Sequence, residues 1–347
     1  MNFYNHQHQN YCGIDLHARS LYICILDSSG QILVHKPCSA KPQHLLNLIS
    51  PYLDDLVIGV ECMHCWYWVA DFCEQQGITF ILGHALYMRA IHGGKAKNDR
   101  IDSLKIAQLI RGGNFPLAYV YPREMRSTRD LLRRRTNLVR HGATLKAHVA
   151  NTTSQYNLPP NRVNLKNVSA REQMRHTFTD KSVQHMINLD MAVLECYHRE
   201  LSQTEWYLEQ QAKKHKPVYL NLLKTIPGIG RVLALTILYE IGDINRFDTV
   251  QQFASYSRLV KCKAESAGKS YGTQGNKIGN AHLKWAFSEA AALYLRGNKQ
   301  AQRYLQRLQK RMHKAKALSA LAHKIGRATY FMLKNKTVFD EKRFLTR

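Results

Sequence analysis

The chain has 347 residues, enough for two or three domains with separate cores, and its 45% hydrophobic content excludes wholesale disorder. Lysine and arginine number 50 against 25 acidic residues, a formal charge of +25, which points to a polyanionic partner, nucleic acid before an anionic membrane surface. The N-terminus lacks a signal-peptide layout, no apolar run is long enough to cross a bilayer, and eight scattered cysteines do not form a disulfide framework. The expectation is a cytoplasmic chain with no membrane partner.

Residues 1–110 carry 8 Lys/Arg and 9 Asp/Glu, whereas 111–347 carry 42 and 16. The whole basic excess therefore belongs to the later part, and the carboxylates are concentrated early. In chain order, "YCGIDLH", "SLYICILD" and "QILVHK" have strand composition, with "SSG" as a turn signal between the second and third. "QHLLNLISPYL" has helical spacing, and "DLVIGVEC" is a compact β-branched run suited to a buried strand. "CWYWVADFCEQQG" predicts a helix closed by Gly77, "ITFILG" another buried strand, and "GGKAKNDRIDSLKIAQLIRGG" the start of a further helix. Three strands followed by alternating helix and strand give a mixed sheet covered by helices.

From about 120 to 215 the pattern is helical. Leu131, Leu138 and Leu145 recur every seven residues, as do Ile187, Leu194, Leu201 and Leu208, which predicts two long helices packed as a hairpin or against a partner subunit. Paired prolines in "NLPPNRVN" lie between them. Arg133, Arg134, Arg135 and Arg140 fall in the first helix and are expected to meet phosphates. "LLKTIPGIGRVLALTILYEIGDINRF" resembles a helix-hairpin-helix, whose turn amides can hold a nucleic-acid phosphate, although an ordinary tight turn reads the same way. A Gly-, Ser-, Asn- and Lys-rich segment, "ESAGKSYGTQGNKIGNAHLK", precedes a helix at "WAFSEAAALYL", and 299–334 is a basic helical tail. Cys62 and Cys65 in "ECMHCW" have no second pair at zinc-site spacing and are read as buried thiols.

Asp15 is the one charge inside its strand, and Glu61 ends another; strand interiors disfavour such residues unless they have a partner or a function. Asp99 and Asp102 lie three apart at a helix start, where capping by Asn98 or Asp99 competes with a shared metal ion. The order Asp, Glu, Asp, Asp over strand-strand-strand-helix-strand-helix is similar to that of ribonuclease H-like nucleases, in which such acids gather around Mg²⁺. From the residues alone, Ser266 is a turn residue or phosphate contact rather than a nucleophile.

"GIDLH", "GVECMHCWYWVAD" and "GGKAKNDRIDSLKIAQLI" closely resemble the N-terminal motifs of DEDD transposases, the bacterial insertion-sequence enzymes of the IS-one-ten group, which includes pilin-gene invertases. "LLKTIPGIGRVLALTILYEIGDINRF" and "FASYSRLVKCKAESAGKSYGTQGNKIGNAHLKWAFSEAA" resemble that group's C-terminal domain. The resemblance implies a RuvC-like DEDD metal-binding domain over 1–120, a helical coiled-coil segment over 121–215, and a helical C-terminal transposase domain over 216–347. It implies catalytic and metal-ligating roles for Asp15, Glu61, Asp99 and Asp102 with Mg²⁺ or Mn²⁺, and a serine nucleophile at Ser266. Here Ala267 separates Ser266 from Gly268, and Ser270 stands nearby. It also implies donor and target DNA, a guiding bridge RNA, a nucleoid-associated setting, and a homo-oligomer, a tetramer built from dimers. The alternatives are a structure-selective Holliday-junction-type endonuclease and a non-catalytic nucleic-acid-binding protein on the same fold.

Overall fold

A computed structural model describes residues 2–91, 98–159, 164–274 and 278–346, with 262–264 and 270–274 described by their backbone. Lys95, Lys97 and part of "NLPPNRVN" lie outside the described residues. The chain divides into two compact units, Met1–Arg123 and Glu124–Arg347.

The first unit contains β1 (Phe3–Tyr4), β2 (Asn10–Leu16), β3 (Ser20–Asp27), β4 (Ile32–Ser39), α1 (Pro42–Ile49), β5 (Leu56–Glu61), α2 (Tyr67–Gln76), β6 (Thr79–Gly83), α3 (Ala85–Ile91), α4 (Asp99–Arg111) and β7 (Phe115–Pro116). Five strands form one mixed sheet in the order β4-β3-β2-β5-β6, antiparallel from β4 to β2 and parallel from β2 to β6. Strand alternation divides the core. Cys12, Ile14, Leu16, Ile58 and Val60 pack with Leu45, Ile49, Val69 and Phe72 of α1 and α2, while Tyr11, Val57 and Ile81 pack with Ile106 and Ile110 of α4. Gly77 ends α2 in the left-handed conformation, as the sequence predicts.

The second unit is built on α5 (Arg123–Gln155), α6 (Val168–Arg175) and α7 (Lys181–His215). Arg135 meets Glu205, Gly142 lies against Leu194 and Tyr197, and His148 meets Asp190, so α5 and α7 run antiparallel. The expected spacing holds best on α7, where Ile187, Leu194 and Leu208 are buried; on α5 the buried positions include Leu132, Gly142 and Val149 in place of Leu131, Leu138 and Leu145. Then come α8 (Pro217–Lys224), α9 (Arg231–Ile241), α10 (Val250–Tyr256), β8 (Cys262–Ser266), β9 (Lys269–Gln274), α11 (Ala281–Tyr294), α12 (Lys299–Gln309), α13 (Lys314–Asn335) and α14 (Glu341–Thr346). The turn between α8 and α9 seats Gly228 on the end of α11, where a Cβ would stand 2.6 Å from the Tyr294 nitrogen. No helix among the described residues is long and apolar enough to cross a membrane.

Two sequence expectations need correction. Arg133 and Arg135 do not present themselves for phosphates: Arg133 is paired with Glu240 and Arg135 with Glu205, leaving Arg134 and Arg140 as the exposed pair. Both cysteines follow the end of β5: Cys62 is exposed, and Cys65 is half-buried against the edge of the core.

Candidate functional site

Strand parity places the first two acids. The parallel pairing of β2 and β5 runs to Ile14↔Val60, so Asp15 and Glu61 are the next residues on adjacent strands. Both share parity with Gly13 and Gly59 and therefore belong to the sheet face covered by α4, at the strands' carboxyl ends. Those glycines let the helix approach. A Cβ at Gly13 would stand 2.3 Å from the Ser103 carbonyl oxygen and 2.4 Å from the Ala107 nitrogen; one at Gly59 would stand 2.5 Å from Ile110 Cδ1. The backbone of α4 thus rests on β2, and its first turn reaches the end that carries Asp15.

Asn98 caps that turn: its backbone is extended and its side chain accepts a 2.7 Å hydrogen bond from the Ile101 amide. Asp99 and Asp102 are then the first and fourth helical residues, at the positive end of the helix dipole. His17, one residue beyond β2, stands between two carboxylates, with Nε2 3.6 Å from Asp15 Oδ2 and 3.4 Å from Asp99 Oδ1. One ligand atom from each of Asp15, His17 and Asp99 falls within 4.8 Å of the others, a grouping that can hold a divalent cation. Asp15 is mostly shielded, with 16% side-chain exposure, and Asp99 is open at 54%. Asp102 lies outside this group and makes a 3.7 Å pair with Lys105. Glu61 is also outside it, one strand over from Asp15.

Ser266 lies in the second unit. The strands β8 and β9 around it form a β-hairpin, with Ser266 opposite Lys269 across a two-residue turn. Ala267 and Gly268 both have positive φ, +50° and +74°, as a type I′ turn requires. Ser266 is therefore the last strand residue before the turn; it is exposed and has a lysine as its cross-strand neighbour. Ser270 sits one pair further from the turn, opposite Glu265.

The chain entering and leaving this hairpin is pinned below it. Arg258 donates to the carbonyls of Ile278 and Gly279, and the Asn280 amide donates to the Tyr256 carbonyl at 2.6 Å. Asn280 also caps α11 through its side-chain oxygen, and its side-chain nitrogen donates to Glu240 Oε2 at 2.7 Å. Glu240 is 1% exposed and takes two hydrogen bonds each from Arg129 and Arg133. Burial pushes its carboxyl upward, but the hydrogen bond from Arg133, the charges of Arg129 and Arg133 and the bond from Asn280 outweigh that and hold it down at about 2.

Two family models match the sequence and between them take in more than half of it. A DEDD transposase model covers residues 12–158, and the model described as the transposase IS116/IS110/IS902 family covers 220–306. The chain belongs to the IS110 family of DEDD transposases. The mixed sheet with its helical part fits a ribonuclease H-like domain of that family. Among similar proteins is the y4qE protein of Sinorhizobium fredii, which carries a provisional transposase name and is 23% identical over 70% of this chain and 59% of its own length. Another is the transposase for insertion sequence element IS1111A of Coxiella burnetii, 22% identical over 82% of this chain and 77% of its own. The chain thus matches less than two-thirds of the Sinorhizobium protein.

Of the five residues proposed from sequence, all four acids fall within the first matched segment of this IS110-family chain and Ser266 within the second. His17 and Glu240 were not foreseen. His17 follows Asp15 by two positions, and this Asp-x-His step at a strand end is the signal that could have found it.

Proposed function

We propose that this chain is a divalent-metal-dependent DNA recombinase that excises and inserts an insertion sequence. The grouping of Asp15, His17 and Asp99 carries the reading, with Glu61 level with Asp15 on the next strand. The donor set suits a hard cation: Asp15 and Asp99 offer oxygens, and Asp99 is open enough for a substrate phosphate to approach. His17 adds a nitrogen, which Mn²⁺ accepts more readily than Mg²⁺ does. A cation held there supplies charge neutralisation at phosphate oxygens.

Ser266 is assigned the attack on DNA. Its Oγ–P bond forms as a P–O bond to the leaving DNA oxygen breaks; the serine proton passes to solvent and the leaving oxygen takes one up. The resulting phosphoserine ester keeps the bond energy for rejoining, when a DNA hydroxyl displaces the serine. Lys269, across the strand, places positive charge beside the phosphate under attack. The basic helices hold nucleic-acid backbones, and the partners in this reading are donor and target DNA and a bridge RNA that pairs with both. Cutting several strands together calls for a homo-oligomer, a tetramer built from dimers.

Asp15→Asn keeps the side-chain shape but removes a charged ligand, so it should abolish metal-dependent strand cleavage while DNA binding and melting temperature stay near those of the parent. Cleavage assayed in Mg²⁺, in Mn²⁺ and after chelation checks this. Undiminished cleavage by the variant would remove the acids from the reaction.

A further inference from the structure

The helical hairpin contains an excess of positive charge that its own carboxylates do not balance. Between residues 140 and 200 the carboxylates are Glu172, Asp180, Asp190, Glu195 and Glu200. Every one of them is engaged elsewhere. Glu172 and Glu195 meet Arg175, Asp180 caps α7, Asp190 meets His148, and Glu200 meets Arg199. Among the described residues none of these acids is paired with Lys146 of α5, Lys166 of the connecting loop, Arg171 of α6 or His198 of α7.

Arg171 meets His198 directly, and the charges of Lys146 and Lys166 also act on that histidine. Arg171 is 5% exposed, and its Nη1 donates to the carbonyls of Leu165 and Lys166 and lies 3.3 Å from His198 Nδ1. That last contact makes Nδ1 the acceptor, so the neutral ring carries its proton on Nε2 as a donor. The electrostatics agree with the geometry. Burial lowers the His198 pKa first, and Lys146, Arg171 and Lys166 lower it further; Lys146 is itself lowered by burial and then by Lys166. Like charges held together without counter-charge oppose folding, and an anion placed among them reverses that cost.

We propose that Lys146, Lys166, Arg171 and His198 form a phosphate-binding site that takes a backbone phosphate of nucleic acid. Arg171 acts as the fixed member, tying the loop so that Lys166 stays beside α5 and α7. The two lysines supply mobile donors, and His198 Nε2–H supplies a directed one. The site rests on the reading of this chain as a nucleic-acid enzyme, and it gives one part of the basic helices a specific contact.

Lysine acetylation followed by mass spectrometry on the full-length protein tests it, with free chain, chain bound to duplex DNA, chain bound to a structured RNA, and chain with inorganic phosphate at equal phosphate concentration. Nucleic acid is expected to slow acetylation of Lys146 and Lys166 about tenfold, whereas inorganic phosphate leaves both unprotected. In parallel, K146Q/K166Q should reduce the log–log salt slope of binding by about 1.5. It should leave the melting temperature unchanged or raised, which a structural role for the lysines would not do. If gel shift shows the complex formed but both lysines react at the free rate, the site is overturned while the parent reading stands. Protection by inorganic phosphate alone overturns the nucleic-acid occupant. If neither nucleic acid binds the parent protein, the parent reading fails and the site with it.

Discussion

A carboxylate in a strand and a carboxylate in a helix core differ here both in sequence signal and in fate. Asp15 is conspicuous as the one charge inside its strand, and it lies at the strands' carboxyl ends beside His17 and Asp99. Glu240 gives no such signal. Within "ILYEIGD" it passes for a solvent-facing residue, and its arginine partners lie 107 and 111 positions earlier. Glu240→Gln removes the buried charge that Arg129 and Arg133 share, and the expected loss of stability is about 3 kcal/mol. The pH dependence has a fixed sign. Because the folded pKa is depressed to about 2, the pair's contribution is complete above the ordinary glutamate value and is lost as pH falls from about 4.5 through about 2. Denaturant titrations of both proteins at pH 7 and pH 3 measure this: the gap between them should narrow at pH 3. An equal gap at both pH values, or no gap at pH 7, would contradict the account of Glu240.

At the level of elements, the sheet was the most legible part because its strands are nearly unbroken apolar runs and its helices end at turn residues such as Gly77. The close approach of α4 was not legible, since nothing local marks Gly13 as the residue on which a helix backbone rests. Gly13→Ala should lift the first turn of α4 away from β2, so that cleavage falls at least tenfold and stability drops by about 2 kcal/mol. Parent-like cleavage would show that the site tolerates a displaced helix. The hairpin around Ser266 was missed for a different reason. A type I′ turn ordinarily announces itself with Asn-Gly or Asp-Gly, and here Ala267 takes the first left-handed position at a cost of about 1 kcal/mol. Ala267→Gly relieves that strain and should leave cleavage intact while slowing proteolysis of the hairpin. Faster proteolysis would argue against the turn. The arginine-rich stretch of α5 was legible only as charge; which arginines face Glu240 and Glu205 depends on helix pairing that composition does not encode.

For the whole molecule, the step in charge near residue 110 lies close to the division between the two compact units, so the acids and most of the basic excess belong to different bodies. In the proposed function, metal chemistry and polyanion holding are then separate capacities of one chain, and Ser266 belongs to the basic unit. In the proposed recombinase a serine, rather than a metal-activated water, takes the DNA phosphate. Labelled donor DNA, guide RNA and divalent metal incubated with the protein and then denatured should yield a covalent protein–DNA adduct. Ser266→Ala should abolish adduct and rejoining with complex assembly unchanged, and Ser270→Ala should retain both. Cleavage and rejoining by Ser266→Ala at the parent rate would contradict the account and leave the four acids as a junction nuclease.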